Sequence, residues 1–108
     1  MAKKFIQPGE VIDYTAGSAL SSGAVVLIGN RIGVLLTDLA SGEVGAAQVT
    51  GVWEIAKLFS DVVTQGALLY WDAGNSRLTT TASTHKLAGY AWAAASGTDT
   101  TVQIKINA

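Results

Sequence analysis

The stretch SGEVGAAQVTGVWEIAK, residues 41–57, places Gly42, Gly45 and Gly51 ahead of Lys57 and so has the raw materials of a phosphate-binding loop. A P-loop requires G-x-x-x-x-G-K-[ST], with the lysine directly after the last glycine and a hydroxyl after that to hold magnesium. Lys57 lies six residues past Gly51 and is followed by Leu58. The dinucleotide pattern G-x-G-x-x-G fails as well, so these glycines read as punctuation between strands.

Other candidate chemistry is equally sparse. His85 stands alone between Thr84 and Lys86, with no partner in the sequence to tune or orient it, and reads as a loop histidine. The carboxylates at Glu10, Asp13, Asp38, Glu43, Glu54, Asp61, Asp72 and Asp99 mostly neighbour glycine, serine or threonine, where Asp forms turns. Ser41-Gly42 and Ser96-Gly97 lack the nucleophile-elbow pattern. No cysteine is available for thiolate metal sites or disulfides. Trp53, Trp71, Tyr90 and Trp92 could stack on a sugar or base, but each sits in an apolar strand and reads first as core. Neither catalytic, metal nor cofactor residues emerge from this inventory.

The elements that would position these residues are short. AVVLI (24–28) and RIGVLLT (31–37) flank Gly29-Asn30, a pair that tolerates positive φ, and form a hairpin signal. VGAAQVT (44–50) reads as a further strand, and TVQIKIN alternates Val102, Ile104 and Ile106 with polar residues, as a half-buried strand does. GALLYWDAGNSRLTT (66–80) repeats the order of GAVVLIGNRIGVLLT (23–37), and VTGVWEIA (49–56) resembles KLAGYAWAAA (86–95). The spacing of Val52, Ile55, Ala56, Phe59, Val62 and Val63 also fits a helix; the reading adopted is a strand through Lys57 and then a helix of about one turn capped by Ser60. The expected fold is all-β, a small compact β-barrel or β-clip-like single domain over residues 9–108, with at most two short helical segments. Residues 1–8 are expected to form an N-terminal arm, set off by Pro8-Gly9.

Composition narrows the function classes. Net charge is −1 with no basic stripe, which argues against nucleic-acid binding. No apolar run approaches the length of a membrane span or a signal-peptide core. Hydrophobic residues make up 49% and charged residues 14%, a balance that leaves apolar surface for a partner or for further copies of the chain.

Read in order, PGEVIDYTAGSALSSGAVVLIGNRIGV, GEVGAAQVTGVWEIAK, GALLYWDAGNSRLTT and KLAGYAWAAASGTDTTVQIKIN resemble a family of small phage proteins, the capsid cement or head decoration proteins. The resemblance runs from about residue 6 to residue 106. It implies a homotrimer on the outside of the head, with the major capsid protein as partner, no cofactor and no enzymatic activity. It also implies assembly in the bacterial host cytoplasm. Within that reading Lys3, Lys4, Phe5, Ile6 and Gln7 are the candidate capsid-binding residues, and Lys57 is an ordinary strand-end residue. Two other readings stand beside it: a glycan-binding adhesion module using exposed tryptophans, and a trimeric β-clip nucleotide hydrolase.

Overall fold

The structure, a computed structural model, describes residues 8–108. Nine strands follow one another: β1 (Val11–Thr15), β2 (Val25–Ile28), β3 (Arg31–Leu35), β4 (Val44–Gln48), β5 (Val52–Ala56), β6 (Leu68–Asp72), β7 (Arg77–Thr79), β8 (Lys86–Ala91) and β9 (Thr101–Ile106). They form a four-stranded sheet of order β1-β4-β3-β2 and a five-stranded sheet of order β5-β9-β8-β6-β7, with every ladder antiparallel. The fold is all-β, and no helix forms among the described residues.

The two sheets repeat one topology. In each, the first strand pairs with the last, the last with the third and the third with the second, if β7 is taken as an insertion in the later unit. Side-chain detail repeats too. Leu20 bridges Leu39 in the first unit and Val63 bridges Ala95 in the second. The turn before each last strand is closed by a carboxylate, Glu43 accepting from the Ala40 amide at 2.6 Å and Asp99 from the Ser96 amide at 2.8 Å. The sequence likeness of 23–37 to 66–80 therefore marks a real equivalence of β2 with β6, but the counterpart of β3 in the second sheet is β8, not β7. The likeness of 49–56 to 86–95 has another meaning: β5 and β8 are the two neighbours of β9.

Alternation along β3 divides the interior. Ile32 and Val34 face the five-stranded sheet and pack with Ile55, Leu69, Trp71, Leu78, Val102, Ile104 and Ile106 in the main core. Leu35 faces the other way, into a smaller core with Ala16, Val26, Leu39 and Ala47. Each fully buried Leu or Ile contributes about 1.5–3 kcal/mol over its exposed state. Gly45 makes room for the second core, since a Cβ there would meet the Leu39 side chain.

Two expectations need correction. No barrel closes: the five-stranded sheet brings its edges together only where Lys57 bridges Leu78 in parallel. The strand through Lys57 forms, but the one-turn helix after it does not. Ser60 takes φ 86, its amide bonds to the Gly97 carbonyl at 3.0 Å, and Val63 pairs with Ala95, so the backbone groups a helix would use are committed across the sheet.

Candidate functional site

Lys57, the residue that opened the phosphate question, is 5% exposed. Its Nζ donates to the Leu58 carbonyl at 3.1 Å and the Asp61 carbonyl at 2.6 Å, which satisfies the buried ammonium without an anion. Asp61 turns its carboxylate the other way, accepting from Thr79 Oγ1 and the Thr80 amide, both at 3.1 Å. Together these bonds fasten the 58–63 loop to β7. Lys57 is thus an internal latch, not an ordinary strand-end residue and not a phosphate ligand.

The remaining chemistry-bearing residues are dispersed. Asp38 accepts from the Ser22 amide at 2.7 Å, and Glu54 on β5 accepts from Thr101 Oγ1 at 2.9 Å. Asp72 ends β6 at the turn into β7, and the Asn75 side-chain Nδ2, donating to its carboxylate at 2.9 Å, holds its pKa below the ordinary 3.8, aided by the charges of His85 and Arg77. The Arg77 Nε lies 3.5 Å from the same carboxylate, and this buried N–H has no hydrogen-bond acceptor. Among the described residues no three His, Cys, Asp or Glu side chains converge as metal ligands. Lys3, Lys4, Phe5, Ile6 and Gln7 lie outside the described residues.

The aromatics part company. Trp71 is core, Trp53 is half-buried with its Nε1 donating to the Thr50 carbonyl at 3.0 Å, and Trp92 is 47% exposed. Tyr90 lies beside Trp92, ring centroids 6.4 Å apart and tilted by 38°. The expectation that all four belong to the core holds for Trp71 and fails for Trp92, which follows the end of β8 on the exposed face of the sheet.

Among the described residues the surface carries exposed apolar area. A row across the outer face of the five-stranded sheet runs Val52, Lys105, Tyr90, Leu68, of which Val52 and Leu68 are exposed. Val44 and Leu36 are exposed on the four-stranded sheet, and the latched loop carries Phe59 and Val62 outward at 59% and 70% exposure. Sequence reasoning placed Phe59 between a strand and a one-turn helix that would carry Val62, and so missed their joint display on one loop. The phage cement protein family matches residues 6–106 of this chain. The chain belongs to that family. As a phage cement protein it is a structural protein of the virion capsid. Neither the comparison with curated proteins nor that with solved structures gave a match.

Proposed function

We propose that this cement protein binds the outside of the phage head as a homotrimer, bridges neighbouring copies of the major capsid protein and stabilises the shell. The observation that supports this best is a surface bearing eight large exposed apolar side chains on a chain with no converging catalytic groups among its described residues. Such surface is characteristic of sites for protein partners. Residues 1–8 act as an arm in this reading: Phe5 and Ile6 anchor it, the backbone of Lys3–Gln7 adds a strand to a shell subunit, and Lys3 and Lys4 face acidic groups. Three arms on one trimer bind together, so weak single contacts sum.

The test is re-addition of the purified protein to heads that lack it. The protein is expected to co-sediment with heads and raise their thermal survival, and the chain lacking residues 2–7 to bind at least tenfold more weakly. Heads that neither retain the protein nor gain stability would overturn the capsid role. Full binding by the truncated chain would overturn the arm alone.

The Tyr90–Trp92 pair favours a second reading. It lines a surface depression of about 370 Å³ with Gln65, Gly66 and Ala91, where a sugar could stack on the indole and bond to the Gln65 amide. Titration with oligosaccharides of host-surface type tests it; tryptophan emission unchanged at millimolar sugar eliminates it.

A further inference from the structure

Phe59 and Val62 belong to neither hydrophobic core, at 59% and 70% exposure, whereas Val63 beside them is 2% exposed and packs in the main core. Phe59 and Val62 are therefore not demanded by the packing of the unit that carries them, and they face outward.

The loop that shows them is nevertheless held rigidly. The Lys57 ammonium binds two of its carbonyls, the Asp61 carboxylate ties it to Thr79 and Thr80, and Val63 pairs with Ala95. Ser60 is kept at φ 86, a left-handed conformation that a serine adopts at a cost. An apolar tip fixed in advance loses little entropy on docking, which is the property of an interface anchor.

A matching receptor lies on the same chain. A groove of about 410 Å³ is lined by Ile12, Ile28 and Val49 with Arg31, Thr50 and Asn107. It adjoins the start of β5, whereas the Phe59 loop follows its end, so the two are about 20 Å apart along the strand direction and Phe59 cannot reach its own groove. A knob and a groove at opposite ends of one chain make a head-to-tail contact between copies, which closes into a ring when the rotation per copy permits.

We infer that Phe59 and Val62 of one copy dock into the Ile12–Ile28–Val49 groove of the next, and that this contact builds the trimer. The inference rests on the trimeric reading above. Phe59 is the buried anchor of each contact, and Arg31 and Thr50 remain at its polar margin.

The chain has no cysteine, so a designed pair reports the contact directly. In the Phe59→Cys/Thr50→Cys double variant, oxidation is expected to give covalent dimers and trimers on non-reducing gels. Mixing the two single variants gives dimers only, and Phe59→Cys by itself gives none. Sedimentation of Phe59→Asp and Thr50→Trp, which alter exposed positions and leave the cores intact, is expected to show monomers at concentrations where the parent is trimeric. The inference is overturned by a parent that stays monomeric at about 200 μM, far above a micromolar Kd, by trimers that survive both substitutions, or by cross-linking of Phe59→Cys to itself. Groove occupancy by residues 1–7 of the same copy would show as Thr50→Trp leaving assembly unchanged, and it too overturns the inference. Head binding measured in parallel separates the two proposals: heads bound by a protein that fails the cysteine test retain the capsid reading and reject this interface.

Discussion

The side chain of Asn107 pairs with the backbone of Ile32 as another strand would. Its Nδ2 donates to the Ile32 carbonyl at 2.7 Å and its Oδ1 accepts from the Ile32 amide at 3.1 Å. The same Nδ2 donates to the Val49 carbonyl at 2.9 Å, and the Asn107 amide bonds to the Ala88 carbonyl at 2.7 Å. One residue past β9 thereby joins the two sheets.

Asn107→Ala should cost about 2 kcal/mol, because three hydrogen bonds are lost and the carbonyls at the junction keep only partial access to water. Asn107 also holds φ 58, which asparagine accepts more readily than alanine. Urea denaturation measures the loss. Unchanged stability would show that the sheets are held by the main core alone.

Gly89→Ala should be among the most damaging single changes, at about 3 kcal/mol or more. A Cβ on Gly89 would fall 2.1 Å from the Lys105 carbonyl oxygen, and φ 153 is closed to most side chains. The bulge that shifts register between Leu69 and Tyr70 sets this geometry by turning Ala88 into the core. Gly74→Ala, where a Cβ meets nothing closer than 3.7 Å, should be nearly neutral. Equal thermal melting of the two variants would contradict the assignment.

Much of this architecture is legible in the residues. The β2–β3 hairpin follows from β-branched runs around Gly29-Asn30, and β9 from strict alternation that the structure returns as alternate burial of Val102, Ile104 and Ile106. β1 escapes because Val11–Thr15 carries Asp13 and Thr15 and no apolar run; only its ladder with β4 defines it. Asn107 and Lys57 escape for another reason. Their acceptors are backbone carbonyls, in the case of Asn107 as far as 75 residues away, and a carbonyl carries no residue signature. The repeat is visible at Gly23 and Gly66, but inserted β7 obscures which strand answers to β3.

Lys57→Met keeps the stem and removes the ammonium, leaving the Leu58 and Asp61 carbonyls without their donor. The expected cost is about 1–3 kcal/mol. The effect should be local as well: hydrogen exchange at the Ser60 and Val63 amides should quicken more than at Ile104. Uniform acceleration would mean that the latch supports the whole fold and not the loop.

Asp72 should titrate below its ordinary 3.8, chiefly because the hydrogen bond from the Asn75 side-chain Nδ2 favours the ionised form. A depressed folded pKa means that its contribution is present above 3.8 and is lost as pH falls through the folded value. Asp72→Asn should therefore narrow the stability difference between neutral and acid pH. A carboxyl midpoint at or above 3.8 by NMR would contradict the turn's role.

Trp92 offers a reading of which face meets the shell. Trp71 is 5% exposed and Trp53 half-buried, so acrylamide should quench mainly Trp92, and Trp92→Phe should remove most of that quenching while costing little stability, within about ±0.5 kcal/mol. Docking of the outer face of the five-stranded sheet onto heads would cover Trp92 together with Val52 and Leu68, which lie on the same side. Quenching should then fall when the protein is bound. Quenching that persists on heads would leave this face to solvent and put the contact on the N-terminal arm or the four-stranded sheet. The same measurement bears on the sugar reading, since a stacking site must stay open on the assembled virion. Protection of Trp92 by the shell would exclude that role there.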